Sequence, residues 1–169
     1  MDNATKNVRD ERTLNELLQC YKKHCKADYF IVGYVSQKVI YYNIVSDLQG
    51  AVLNVSSADR GSKQCIKYRP TKEQRAELSK SGTVLMTKND FDDLLINTNR
   101  ERAAKNQKTI NKGELLEKIL TEKSGKKWYK DDTPFYMGSD LTVDNIGYQI
   151  KFYDATICTL EKLQELEQG

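Results

Sequence analysis

Apolar and polar positions alternate along this chain with two periods. In Thr13–Cys25 (TLNELLQCYKKHC), Leu14, Leu17, Leu18 and Tyr21 fall at helical spacing and predict a first helix. Tyr29–Val35 (YFIVGYV) and Val39–Val45 (VIYYNIV) are rich in β-branched and aromatic residues, and the short polar link Ser36-Gln37-Lys38 between them predicts a hairpin. Ala51–Val55 and Gln64–Tyr68 read as further strands around a polar loop, Ser56–Lys63. Thr71-Lys72-Glu73-Gln74 after Pro70 has the order of a capping box opening a short helix that Gly82 ends, and Thr83–Thr87 reads as a strand. Asn89 or Asp90 is expected to cap a longer helix with Phe91, Leu94 and Leu95 inward, running on into Asn99–Lys108. Another helix starts at Lys112 or Gly113, with Leu115, Leu116, Ile119 and Leu120 on one face. Leu141, Val143 and Ile146 then lead through a turn at Gly147 into Tyr148–Phe152, and Ala155–Gln168 is expected to be a closing helix. No internal repeat interrupts this succession.

The composition narrows the class. With 38% hydrophobic and 30% charged residues in 169, the balance is that of a globular domain. No apolar run approaches the roughly 20 residues that span a bilayer, and the polar Met1–Arg12 segment has no secretory character, so no membrane is expected and the cytoplasm is the default compartment. Cys20, Cys25, Cys65 and Cys158 form no CxxC pair, which favours free thiols over bridges. A zinc site on Cys20, His24 and Cys25 is disfavoured by irregular spacing and the lack of an evident fourth ligand. His24 is the sole histidine, which disfavours a histidine base, and neither a GxxxxGK[ST] loop nor a GxGxxG turn is present. The net charge of +3 conceals an uneven division: Arg100–Lys130 holds ten Lys or Arg against four Glu, whereas residues 131–169 hold two Lys against eight Asp or Glu. Basic residues beside acidic ones suit a polyanionic substrate with a metal, although charge runs are also ordinary solvated faces.

The chemistry concentrates in SDLTVDNIGYQIKFYD. A strand period of two sets Gln149 and Lys151 on one face and Tyr148, Ile150 and Phe152 on the other, and Asp140 can lie beside the pair on the adjacent strand. A hard cation such as Mg2+ takes one or two carboxylates together with carbonyl, water and phosphate oxygens. A lysine next to such donors can orient a water or hold a phosphate oxygen.

Asp140 followed by Gln149-Ile150-Lys151, with Gly113-x3-Glu117 upstream, resembles the signature of the PD-(D/E)xK nuclease superfamily over roughly residues 108–160. The helix is similar to that of archaeal Holliday junction resolvases, and Gln in place of the acidic residue is similar to Mrr-type restriction enzymes. The resemblance implies an α/β, restriction-endonuclease-like core, a mixed β-sheet flanked by helices in residues 108–169. Residues 1–107 would then be an N-terminal α+β elaboration packed on or completing the sheet. It implies catalysis by Asp140, Gln149, Lys151 and Glu117, with Mg2+ or Mn2+ held by Asp140, Gln149, the Ile150 carbonyl and Glu117, and hydrolysis of DNA phosphodiesters in restriction, recombination or mobile-element biology. Cutting both strands would favour a homodimer.

Arg100, Arg102, Lys105, Lys108 and Lys112 before the helix, and Lys126, Lys127 and Lys130 after it, would clamp the DNA backbone. Two departures stand out: Ser139 occupies the place of the name-giving Pro, and Gln149 removes a negative charge from the metal site. The rival expectation is therefore a catalytically degenerate nuclease fold that binds nucleic acid or a protein. Each residue also has a plain structural alternative. Lys151 can be a solvated lysine on an edge strand, Asp140 a strand start after Gly138-Ser139, Glu117 a solvent-facing glutamate like Glu114 and Glu122, and Trp128 a core residue. Asp144 and Asp154 read as turn residues.

Overall fold

The most continuously apolar segment of the chain lies at the centre of the larger sheet, because both of its faces are covered. In the computed structural model, which describes residues 11–48, 50–55, 64–128, 139–153, 155–159 and 165, this segment is β1 (Tyr29–Ser36), buried from Phe30 to Tyr34. It pairs antiparallel with β2 (Val39–Val45) through a two-residue turn in which Gln37 and Lys38 take φ of 50° and 64°. Both left-handed values match the twist of a tight hairpin, at some steric cost in non-glycine residues. On its other side β1 runs parallel to β7 (Ile146–Phe152). With β5 (Thr83–Thr87) outside β2 and β6 (Leu141–Val143) outside β7, the order is β5-β2-β1-β7-β6, a mixed sheet. Strands from before and after residue 107 thus share one sheet, and the fold is mixed α/β.

Each face of this sheet has its own core. Phe30 and Val32 point toward α1 (Glu11–His24), whose Leu17, Leu18 and Tyr21 pack with Leu48, Ile66, Tyr68 and Ile157. Ile66 and Tyr68 belong to β4 (Gln64–Tyr68), the middle strand of a second, antiparallel sheet between β3 (Ala51–Val55) and β8 (Ala155–Thr159). The opposite face carries Ile31, Ile40, Ile150 and Phe152 against α3 (Lys88–Ala104) and α4 (Lys112–Lys123), through Phe91, Leu115, Leu116 and Leu120.

The capping box at Thr71 forms as expected and opens α2 (Lys72–Ser79). The cap of α3 is Thr87, not Asn89 or Asp90: the last residue of β5 turns its hydroxyl to the Asp90 amide at 3.1 Å. Phe91 is buried and Leu95 packs against the core as expected, whereas Leu94 is exposed and Arg102 is buried. Asn111 caps α4 with a reciprocal bond from Glu114.

The expected closing helix is corrected over its described part. Ala155–Thr159 is a strand that pairs antiparallel with β4. Its sequence, ATICT, is rich in β-branched residues, and the edge of β4 offers backbone partners that a helix would leave unpaired. Of the remainder, only residue 165 lies within the described residues.

Candidate functional site

The β6–β7 hairpin turns at Asp144 and Asn145, with φ of 52° and 66°, rather than at Gly147. Asn and Asp tolerate this left-handed geometry by bonding locally through short polar side chains. Asp144 is thus a turn residue, while Asp154 lies outside the described residues. Gly147 has a different use. A Cβ there would stand 2.3 Å from the Lys26 carbonyl oxygen, so only glycine lets the end of α1 press against β7. Asp28 completes this junction from both sides, its carboxylate accepting from the Gly147 amide at 2.9 Å and its own amide donating to the Gly147 carbonyl at 2.8 Å.

That junction brings α1 over the face of β7 that carries Gln149 and Lys151. In the parallel pairing with β1, Gln149 lies beside Phe30 and Lys151 beside Val32, so both point into the layer occupied by α1. Leu141 pairs with Tyr148, which sets the preceding residue, Asp140, next to Gln149. The Asp140 carboxylate accepts from the Ile150 amide at 2.9 Å, and is thereby held between the two polar side chains of the strand. Burial raises the Asp140 pKa above its ordinary carboxylate value, against the opposing pull of the Ile150 amide and the Lys151 ammonium. Asp140, Gln149 and Lys151 are thus brought together.

Gln149 is buried, at 7% exposure. Its Nε2 donates to the Tyr21 hydroxyl at 3.3 Å, while its Oε1 has no hydrogen-bond partner among the described residues. A buried amide oxygen left bare costs roughly 1–3 kcal/mol, so the position is expensive unless something else engages that oxygen. The Lys151 ammonium lies 5.6 Å from the centre of the Tyr21 ring, a cation over an aromatic face. Cys25, one helical turn beyond Tyr21, is hydrogen-bonded to it; burial raises the thiol's pKa, against smaller lowering effects of Tyr21 and Lys151.

Glu117 requires correction. It sits on α4, which packs against Ile150 and Phe152 on the far face of the sheet, and it accepts from Trp128 Nε1 at 3.3 Å. The apolar stripe of Leu115, Leu116 and Leu120 fixes α4 on the side away from Gln149 and Lys151. Ile150 likewise turns its side chain into that far core, leaving only its backbone at the site. Among the described residues no group of three or more His, Cys, Asp or Glu side chains is placed to hold a metal ion.

No family model, curated protein or solved structure matches this chain.

The donors themselves define what the site can hold. One carboxylate and one amide oxygen, both hard, suit a cation that completes its shell with water and phosphate oxygens, as Mg2+ characteristically does. They do not match a structural zinc site, which takes a closed set of four Cys and His ligands.

The basic residues divide. Arg100, Lys105, Lys108, Lys112, Lys126 and Lys127 are exposed. Arg102 is turned inward, donating through Nε to the Lys108 carbonyl at 2.7 Å, with its guanidinium 5.8 Å from the Trp128 ring. With Asn99, which bonds both the amide and the carbonyl of Ile110, it fastens the link between α3 and α4. Arg102 is therefore engaged within the fold and is not presented with the exposed basic residues. Lys126 and Lys127 line, with Lys118, Glu122, Gly125 and Trp128, an open depression of about 540 Å3 at the end of α4. Lys130 lies outside the described residues.

The sequence placed Tyr21 on the apolar stripe of α1 and offered Cys25 as a free thiol, but linked neither to Gln149. Their spacing of four puts them on one helix face, but a tyrosine on an apolar stripe is indistinguishable from core until its hydroxyl has a partner.

Proposed function

We propose that the protein is a metal-dependent nuclease acting on DNA phosphodiesters, with its site at Asp140, Gln149 and Lys151. The observation that carries this reading is the buried Gln149 oxygen, without a hydrogen-bond partner among the described residues, on the strand face shared with Lys151 and on the hairpin that also carries Asp140. In this reading Asp140 and the Gln149 oxygen hold Mg2+ or Mn2+, with the Ile150 carbonyl as the remaining protein donor. When bound, the cation makes water a better nucleophile and offsets phosphate charge. Asp140 is steadied by the Ile150 amide. Lys151 holds a non-bridging phosphate oxygen or orients the attacking water, and the Tyr21 ring beneath its ammonium limits where it can swing. The fold proposed for residues 108–169 is restriction-endonuclease-like.

Plasmid DNA incubated with the protein should be nicked in Mg2+ or Mn2+ and left intact with chelator. Intact plasmid under every metal condition would sink the enzymatic reading. A second reading has its own support: Glu117 lies on the opposite layer, so among the described residues Asp140 is the one carboxylate placed beside Gln149 and Lys151. A nuclease fold that binds nucleic acid without cutting would give shifted but uncut DNA in the same assay.

Binding should be steeply dependent on salt, since each phosphate neutralised releases a counterion, with a slope of about 0.9 in log affinity per contact. Neutralising Lys126 and Lys127 together should reduce that slope by about two and weaken binding to all sequences alike. Metal dependence of cleavage should not change. An unaltered slope would show these lysines to be solvated surface, and the backbone path past α4 would be wrong.

A further inference from the structure

We propose that Tyr21 is a positioning residue for the site: its hydroxyl accepts from Gln149 Nε2 and so turns Gln149 Oε1 toward the cation. This inference rests on the metal-dependent reading above. An amide can present either its oxygen or its nitrogen, and the two orientations are nearly isosteric. What selects between them is the hydrogen-bond character of the neighbour. A hydroxyl can serve either end of an amide, and here it is the amide nitrogen that lies within reach of it. The hydroxyl oxygen is the acceptor, and Gln149 Nε2 donates to it at 3.3 Å.

With Nε2 engaged by Tyr21, the other end of the amide is Oε1, which has no hydrogen-bond partner among the described residues. Gln149 is 7% exposed and Tyr21 9%, so solvent has little access with which to substitute for either partner. A neutral amide oxygen is a weaker ligand for a hard cation than a carboxylate. Holding its oxygen in one direction removes the reorientation that would otherwise oppose binding.

Tyr21→Phe removes the hydroxyl and keeps the ring over which the Lys151 ammonium lies. Loss of an outer-shell partner typically costs about 10- to 100-fold in metal affinity. The test is Mn2+ binding to the full chain, measured by calorimetry, for the parent, Tyr21→Phe, Gln149→Ala and the double variant, beside plasmid cleavage and thermal unfolding. The expected result is a dissociation constant raised by about 10- to 100-fold in Tyr21→Phe, with no further weakening when the same change is made in Gln149→Ala. Parent-like Mn2+ affinity in Tyr21→Phe overturns the proposal. Equal weakening with and without the Gln149 side chain also overturns it, because Tyr21 would then act through the fold at large.

If Tyr21→Phe does not unfold cooperatively, Tyr21→Met replaces it. It also lacks the hydroxyl that accepts from Gln149 Nε2, so Mn2+ affinity should fall in the same direction, and unchanged affinity overturns the proposal. A parent chain that neither binds Mn2+ nor cuts DNA overturns the nuclease reading itself, and Tyr21 loses its assigned role with it. A parent that binds and cuts, beside an unaffected Tyr21→Phe, overturns the Tyr21 role alone.

Discussion

Lys151→Ala is expected to lower metal-dependent cleavage by at least about a hundredfold, the usual consequence of removing one preorganised donor to developing phosphate charge. Duplex affinity should remain within a few-fold of the parent, because one contact among several carries little of the binding. The separation follows from where the side chain stands. Lys151 shares its strand face with Gln149 and interacts with the Asp140 carboxylate, whereas the exposed basic residues belong to α3, α4 and the segment after α4. The fold should tolerate the change. Lys151 is only half-buried, and the contact with the Tyr21 ring is worth about 0.5–1 kcal/mol at such positions. Gel-shift titration beside a nicking assay decides it: cleavage and binding lost together would make Lys151 a phosphate clamp, and retained cleavage would remove it from the chemistry.

Asp140→Asn should have an effect at least as large on cleavage, with the opposite sign on stability. Asparagine keeps an oxygen for the Ile150 amide but removes the one carboxylate among the proposed metal donors. Cleavage and Mn2+ binding should fall by more than the roughly 100-fold that marks the upper range for outer-shell partners. The folded Asp140 has its pKa raised above 3.8, chiefly by burial. As pH climbs past 3.8 the unfolded chain therefore ionises first, and stability declines until the folded group has also ionised. Asparagine has no such penalty. At neutral pH without metal, Asp140→Asn should therefore unfold at an equal or higher temperature than the parent, with the difference vanishing below pH 3.8. A variant that unfolds at a lower temperature at neutral pH would mean that the charge on Asp140, through Ile150 or Lys151, stabilises the fold more than its desolvation costs.

Several elements were legible from the chain alone because their determinants are local. The capping box at Thr71 needs only residues three apart, the hairpin joining β1 and β2 needs two apolar runs and a short link, and the apolar stripe of α4 is complete within one segment. The same holds for the shared face of Gln149 and Lys151, which the strand period alone dictates. Asp140 next to them required only that the hairpin close.

Tertiary structure decided the rest. Whether α4 covered the near or the far face of β7 could not be read from its stripe, which looks the same from either side, and that choice separated Glu117 from the site. Arg102 resembled its basic neighbours until the link between α3 and α4 folded back to give its guanidinium a carbonyl and a ring. ATICT became a strand because β4, far away in sequence, offered an unpaired edge. Tyr21 met Gln149 only because Gly147 lets the end of α1 approach β7, a contact between residues 128 apart. Sequence periodicity thus determined which side chains share a face. The layer each face meets, and with it the neighbours of every polar group, was set by long-range packing.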